Sequence, residues 1–102
     1  MLNLPERISN KIISVLSAEP SVKQAIVFGS RARGDARDNS DIDLALMGCQ
    51  IPLSLNTRLR ESIGLYSIDI VRIDELDNED LMASIERDGI VIYSAQDAAT
   101  LA

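Results

Sequence analysis

The sequence predicts a small α/β domain in which helices pack against a mixed β-sheet, and three observations point there. Apolar residues recur at helical spacing in three stretches, and short runs of branched residues lie between them. Strands separated by helices in this way imply a sheet with some parallel pairs. The chain has 102 residues, the length of one ordinary domain. Residues 1–102 are therefore read as a single unit, with Ala95 to Ala102 as a loose tail.

The elements follow in order. Asn3 to Ala18 sets Leu4, Ile8, Ile12, Val15 and Leu16 on one helical face. Asn3 and Glu6 have the spacing of a capping box, Pro5 is tolerated in a first turn, and Pro20-Ser21 marks a break. Ala25-Ile26-Val27-Phe28 is a run of strand formers that stops at Gly29, and a short helix is expected from Ser30. Asp41 to Met47 alternates polar or small residues with large apolar ones, the period of a half-buried strand. The connection between these two strands, about a dozen residues, suits a hairpin or a tight crossover. Leu55, Leu59 and Ile63, followed by Gly64, read as a helix with a glycine stop. Ser67 to Val71 is a third strand. Asn78 to Arg87 is an acidic-started helix with Leu81, Met82 and Ile85 inward, ended by Gly89, and Ile90 to Tyr93 is a last strand.

Composition narrows the function. The chain is 46% hydrophobic and 25% charged, as soluble globular proteins are. No apolar run approaches the ~20 residues that cross a membrane, and no signal peptide precedes the first helix, so a cytoplasmic protein is expected. The one cysteine, Cys49, cannot form an internal disulfide, and without any histidine a Cys–His couple is impossible. Cys49 is read as a small buried or half-buried residue. A formal net charge of -6 disfavours nucleic acid, whose binding depends on cations neutralising phosphates. Phe28, Tyr66 and Tyr93 are too few to stack bases. A basic protein or a metal-bound nucleotide fits better.

The chemistry concentrates in Val27 to Gly34 and Ser40-Asp41-Ile42-Asp43. Backbone N–H groups and a hydroxyl at Gly29-Ser30 can cradle phosphate, and Arg31 and Arg33 can add charge-assisted hydrogen bonds. Alone, a Gly-Ser pair after a strand is most often an ordinary turn. Asp41 and Asp43 project to one face of their strand while Ile42, Leu44 and Leu46 project to the other. An isolated pair of this kind is most often a solvated strand face. Asp69 changes the balance, because Ile68 and Ile70 beside it look buried, an unfavourable setting for a lone charge. If its strand pairs beside that of Asp41 and Asp43, three hard carboxylates meet, a donor set suited to Mg²⁺. Two such ions about 3.5–4 Å apart can activate a hydroxyl and steady departing pyrophosphate. The acidic run Asp74, Glu75, Asp77, Glu79 and Asp80 reads as a solvated loop leading into a helix start, and Tyr93 as packing.

Gly29-Ser30, ten residues, then Asp41-X-Asp43 resembles the signature of the DNA polymerase β-like nucleotidyltransferase superfamily. The fuller string GSRARGDARDNSDIDLAL is similar to its minimal nucleotidyltransferase (MNT) branch, with Asp69 at the third acidic position. The resemblance implies that Gly29 and Ser30 hold the triphosphate of ATP, with Arg33 as a further phosphate contact. It implies that Asp41 and Asp43 bind two Mg²⁺ ions, and that Asp69 completes one metal site and helps deprotonate the acceptor. MNT proteins are commonly encoded beside a HEPN-type ribonuclease toxin, and act as antitoxins that transfer AMP to a toxin tyrosine. The expected function is therefore protein adenylyltransfer within a toxin–antitoxin hetero-oligomer, an acidic chain meeting a basic RNA-binding partner. Two alternatives stand beside it: neutralisation by binding alone, and nucleotidyl transfer to a small molecule.

Overall fold

Four helices and four strands succeed one another in the computed structural model, which describes residues 3–37 and 40–95. Helix α1 spans Glu6–Ser17 and leads into strand β1, Val22–Phe28. The short helix α2, Ser30–Arg33, precedes β2, Ile42–Gly48. Helix α3, Ser54–Ser62, carries the chain to β3, Ile68–Arg72. A single 3₁₀ turn, Ile73–Glu75, precedes α4, Glu79–Asp88, and β4 is Ile90–Ser94. Among the described residues no helix is long and apolar enough to cross a membrane.

The sheet is mixed, as its sequence pattern predicts, with strand order β3-β2-β1-β4. β1 and β2 form an antiparallel hairpin that pairs Phe28 with Asp43 and Val27 with Leu44, so the link between them is no crossover. β2 and β3 run parallel, joined through α3, and pair Asp43 with Asp69. β4 returns antiparallel along β1.

Alternation along the strands splits the sheet into two unlike faces. On one, Val27, Ile42, Leu44, Leu46 and Ile68 pack against Ile8, Ile12 and Leu16 of α1 and Leu55 and Leu59 of α3. Fully burying each of these side chains contributes about 1.5–3 kcal/mol, so this face supplies most of the hydrophobic stabilisation. On the other face a smaller cluster of Phe28, Ala45 and Ile85 is bordered by Ile26, Val71 and Leu81, under α4. Asn78 caps α4 by accepting a hydrogen bond from the Leu81 N–H at 3.0 Å. Met82, expected inward with Leu81 and Ile85, is only half-buried.

Two local expectations are not met. The capping box does not form: Pro5 is the residue before α1, and no side chain caps that helix. Asn3 is engaged elsewhere, donating its side-chain N–H to the Ala36 carbonyl (3.1 Å) and its backbone N–H to that of Arg31 (2.6 Å). Cys49 is exposed rather than buried, because β2 ends at Gly48 and the chain turns outward at Gln50, which has a φ of 58°. The expected loose tail lies, from residue 96 on, outside the described residues. Ala95 itself still donates to the Lys23 carbonyl at 2.8 Å. Tyr93 is half-buried against the larger core, the packing role its strand position predicts.

Candidate active site

The site begins where β1 stops. Gly29 takes φ 75° and ψ −152°, a backbone conformation side chains disfavour. Its α-hydrogen faces a carboxylate: a Cβ built there would collide with Oδ2 of Asp43 and lie 3.2 Å from its Cγ. Glycine is thus required twice over, by conformation and by the approach of Asp43. The hairpin register causes that approach, since Phe28 and Asp43 are paired across β1 and β2. Ser30 follows at the start of α2, half-buried, and Gly34, at φ 90°, ends that helix.

Asp43 is half-buried, and its carboxyl is held above the usual carboxylate range. Removal from water is the largest cause, followed by repulsion from Asp69 and then from Asp41, with Arg33 pulling the other way. Asp41 and Asp69 therefore both bear on Asp43. Asp69 reaches Asp43 because the parallel register sets them side by side on strands about 4.8 Å apart. Asp41, two residues before Asp43, is exposed and immediately precedes β2. Asp69 is itself exposed, which corrects the expectation of a charge among buried neighbours. Ile68 is buried on the α1–α3 face, while Asp69 points to the opposite face on the outermost strand. The carboxylate that loses its water is Asp43.

The family described as "Polymerase beta, Nucleotidyltransferase" matches residues 10–98. The chain belongs to this polymerase β nucleotidyltransferase family. A Methanocaldococcus jannaschii protein named "Putative protein adenylyltransferase" is 35% identical over 79 residues, which is 71% of this chain and 79% of the relative. Two solved structures share the fold. One is a toxin–antitoxin complex with AMP-PNP, with TM-score 0.69 and 23% identity over 91% of this chain and 78% of the matched one. The other is a tri-AMPylated Shewanella oneidensis HEPN toxin in complex with an MNT antitoxin, with TM-score 0.62 and 20% identity over 92% and 76%.

In this nucleotidyltransferase, Gly29, Ser30, Asp41, Asp43 and Asp69 come to one end of the sheet, the end where β1 stops and β2 and β3 start. Arg33 is exposed beside them, ion-paired with Asp35 (3.3 Å) and Asp88 (3.4 Å), and its charge bears on Asp43. Asp88, at the end of α4, is drawn below the usual carboxylate range by hydrogen bonds from Arg87 and Arg33. Its part is not visible in the sequence, because it lies 55 residues from the arginine it holds. Arg31, unlike Arg33, does not lie exposed beside the Gly29-Ser30 turn. It is 3% exposed, donates to backbone carbonyls, and lies 5.3 Å over the Tyr66 ring.

Three carboxylates without histidine are a hard-oxygen donor set, and in that respect the residues fit Mg²⁺. They do not amount to a ready-made chelate. Among the described residues no group of three or more His, Cys, Asp or Glu side chains is arranged to hold a metal ion.

Proposed function

We propose that this chain transfers AMP from ATP to a tyrosine hydroxyl of a HEPN-type toxin with which it forms a hetero-oligomer. The observation that carries the reading is the abutment of the Gly29 turn on Asp43, a carboxylate that Asp69 and Asp41 both repel. Phosphate-binding and carboxylate chemistry lie within van der Waals distance of each other there. A relative named for protein adenylyltransfer and a like-folded antitoxin in complex with an AMPylated HEPN toxin support the choice of donor and acceptor.

In this reading the Gly29-Ser30 turn and the Arg33 guanidinium bind the triphosphate, through backbone N–H groups, a hydroxyl and a charged fork. Asp41, Asp43 and Asp69 would hold Mg²⁺, an ion that takes one or two carboxylates and completes its shell with water and substrate phosphates. That habit explains how three carboxylates short of a closed chelate can still serve. Bound Mg²⁺ supplies charge neutralisation for the phosphates and acidifies the acceptor hydroxyl. Asp69, exposed on an edge strand, takes the tyrosine proton as the phenolic oxygen attacks the α-phosphorus. A new phosphorus–oxygen bond forms, the bond from the α-phosphorus to the bridging oxygen breaks, and pyrophosphate departs.

Intact-mass measurement of the toxin, co-expressed with wild type and with the Asp41→Asn/Asp43→Asn variant, tests the proposal. A gain in AMP units with wild type alone is the expected result. No gain with either, while both relieve toxicity, would replace transfer by neutralisation through binding.

A further inference from the structure

Arg31 is the one strongly buried charged residue among the described residues, and its guanidinium donates to the backbone carbonyls of Asn3, Arg37 and Ser40. Nη2 and Nε both donate to the Ser40 carbonyl, at 3.0 and 3.3 Å, and Nη2 also reaches the Arg37 carbonyl at 3.4 Å. Nη1 donates to the Asn3 carbonyl at 2.9 Å, while the Asn3 N–H donates back to the Arg31 carbonyl. The flat guanidinium also stacks on Tyr66, the residue just before Ser67. A planar fork can hold several carbonyls at fixed directions, which a lysine ammonium cannot.

Two of the acceptors, the Arg37 and Ser40 carbonyls, lie just ahead of Asp41. Asp41 is flanked by the Ser40 carbonyl, fixed by Arg31, and by the Ile42 N–H, which donates to the Ser67 carbonyl at 2.8 Å. Arg31 lies one residue after Ser30 in the phosphate turn, so a single side chain links that turn to the start of β2. Asp41 is exposed, so its direction depends on how its backbone is held. We infer that Arg31 is a positioning residue for Asp41, fixing the segment that presents this carboxylate to a divalent cation bound with the nucleotide. The inference rests on the reading of Asp41 as a metal-holding group.

The test is a Mn²⁺ titration of the full chain with a non-hydrolysable ATP analogue, followed by water-proton relaxation. Wild type, Asp41→Asn, Arg31→Lys and Arg31→Met are compared, with melting curves to identify the folded variants. Loss of a residue that orients a metal ligand costs roughly tenfold or more in affinity, so Arg31→Met is expected to raise half-saturating Mn²⁺ by about that factor. Arg31→Lys should fall between, and excess Mg²⁺ should restore the transfer rate of both but not of Asp41→Asn. A folded Arg31 variant that binds Mn²⁺ like wild type, while Asp41→Asn binds it weakly, overturns the inference. If Arg31→Met does not fold, Arg31→Lys decides by the same criterion. Wild-type affinity in Asp41→Asn would instead remove the reading of Asp41 itself, and this inference with it.

Discussion

The two faces of β2 divide the labour of the protein at the level of single residues. Ile42, Leu44 and Leu46 are wholly shielded from water between the sheet and helices α1 and α3, and their contribution is stability. Asp43 points the other way, into a region that α4 covers only as far as Phe28, Ala45 and Ile85. There burial works against the fold, since Asp43 loses water and gains like-charged neighbours. Adjacent residues thus carry opposite signs in the folding free energy. A strand with one dry face can tolerate an unfavourable group on the other, because the pleat keeps the two from sharing an environment.

Breaking that contrast most severely calls for Asp43→Asn. If the carboxylate gathers several kcal/mol of transition-state stabilisation, transfer should fall by roughly 10³-fold, read as AMP incorporated per minute. The melting temperature should hold or rise at neutral pH. Leu44→Ala, one residue on, is the mirror image. It should cost about 2–5 kcal/mol in urea unfolding while the folded fraction keeps its turnover. Gly29→Ala tests the border between the faces. A methyl there meets Asp43 and a positive φ, so turnover should drop by roughly 10²-fold, as misplacement by about an ångström can do.

The smallest effect is a pH dependence. Because Asp43 binds its proton more tightly folded than unfolded, the native state holds more protons between the two values. The contribution of Asp43 to stability without ligands should therefore fall as pH rises from the ordinary carboxylate value of 3.8 through the raised folded one. That contribution should appear as the difference between wild type and Asp43→Asn in thermal melts from pH 3 to 7, since Asp88 and Glu19, both held low, keep their opposite slope in each. A slope of opposite sign at Asp43 would mean that attraction to Arg33 outweighs burial and repulsion.

What the sequence makes legible here is what depends on nearest neighbours. The alternation Ile42, Asp43, Leu44 announces both faces of β2, and the Gly29 stop marks the turn. Features set by tertiary placement are hidden. Arg31 and Arg33 look equivalent on paper, and α2 is too short for periodicity to say which one turns inward. The exposure of Asp69 follows from β3 being the sheet's edge, a property of strand order that its neighbours Ile68 and Ile70 do not encode. Asn3 has the right spacing to cap α1, yet its hydrogen bonds go to Arg31 and Ala36. The pairing of Arg33 with Asp88 joins opposite ends of the chain and has no local signature.

The outward turn after β2 has a practical consequence. Cys49 is the chain's single thiol, exposed, and six residues beyond Asp43 along an extended strand, roughly 20 Å away. A maleimide dye placed there reports from the far end of the sheet without crowding the Gly29-Ser30 turn. Energy transfer from that dye to a fluorescent nucleotide would measure occupancy of the near end. Quenching of the dye by an added toxin would show whether the partner wraps the whole sheet or engages only the carboxylate end.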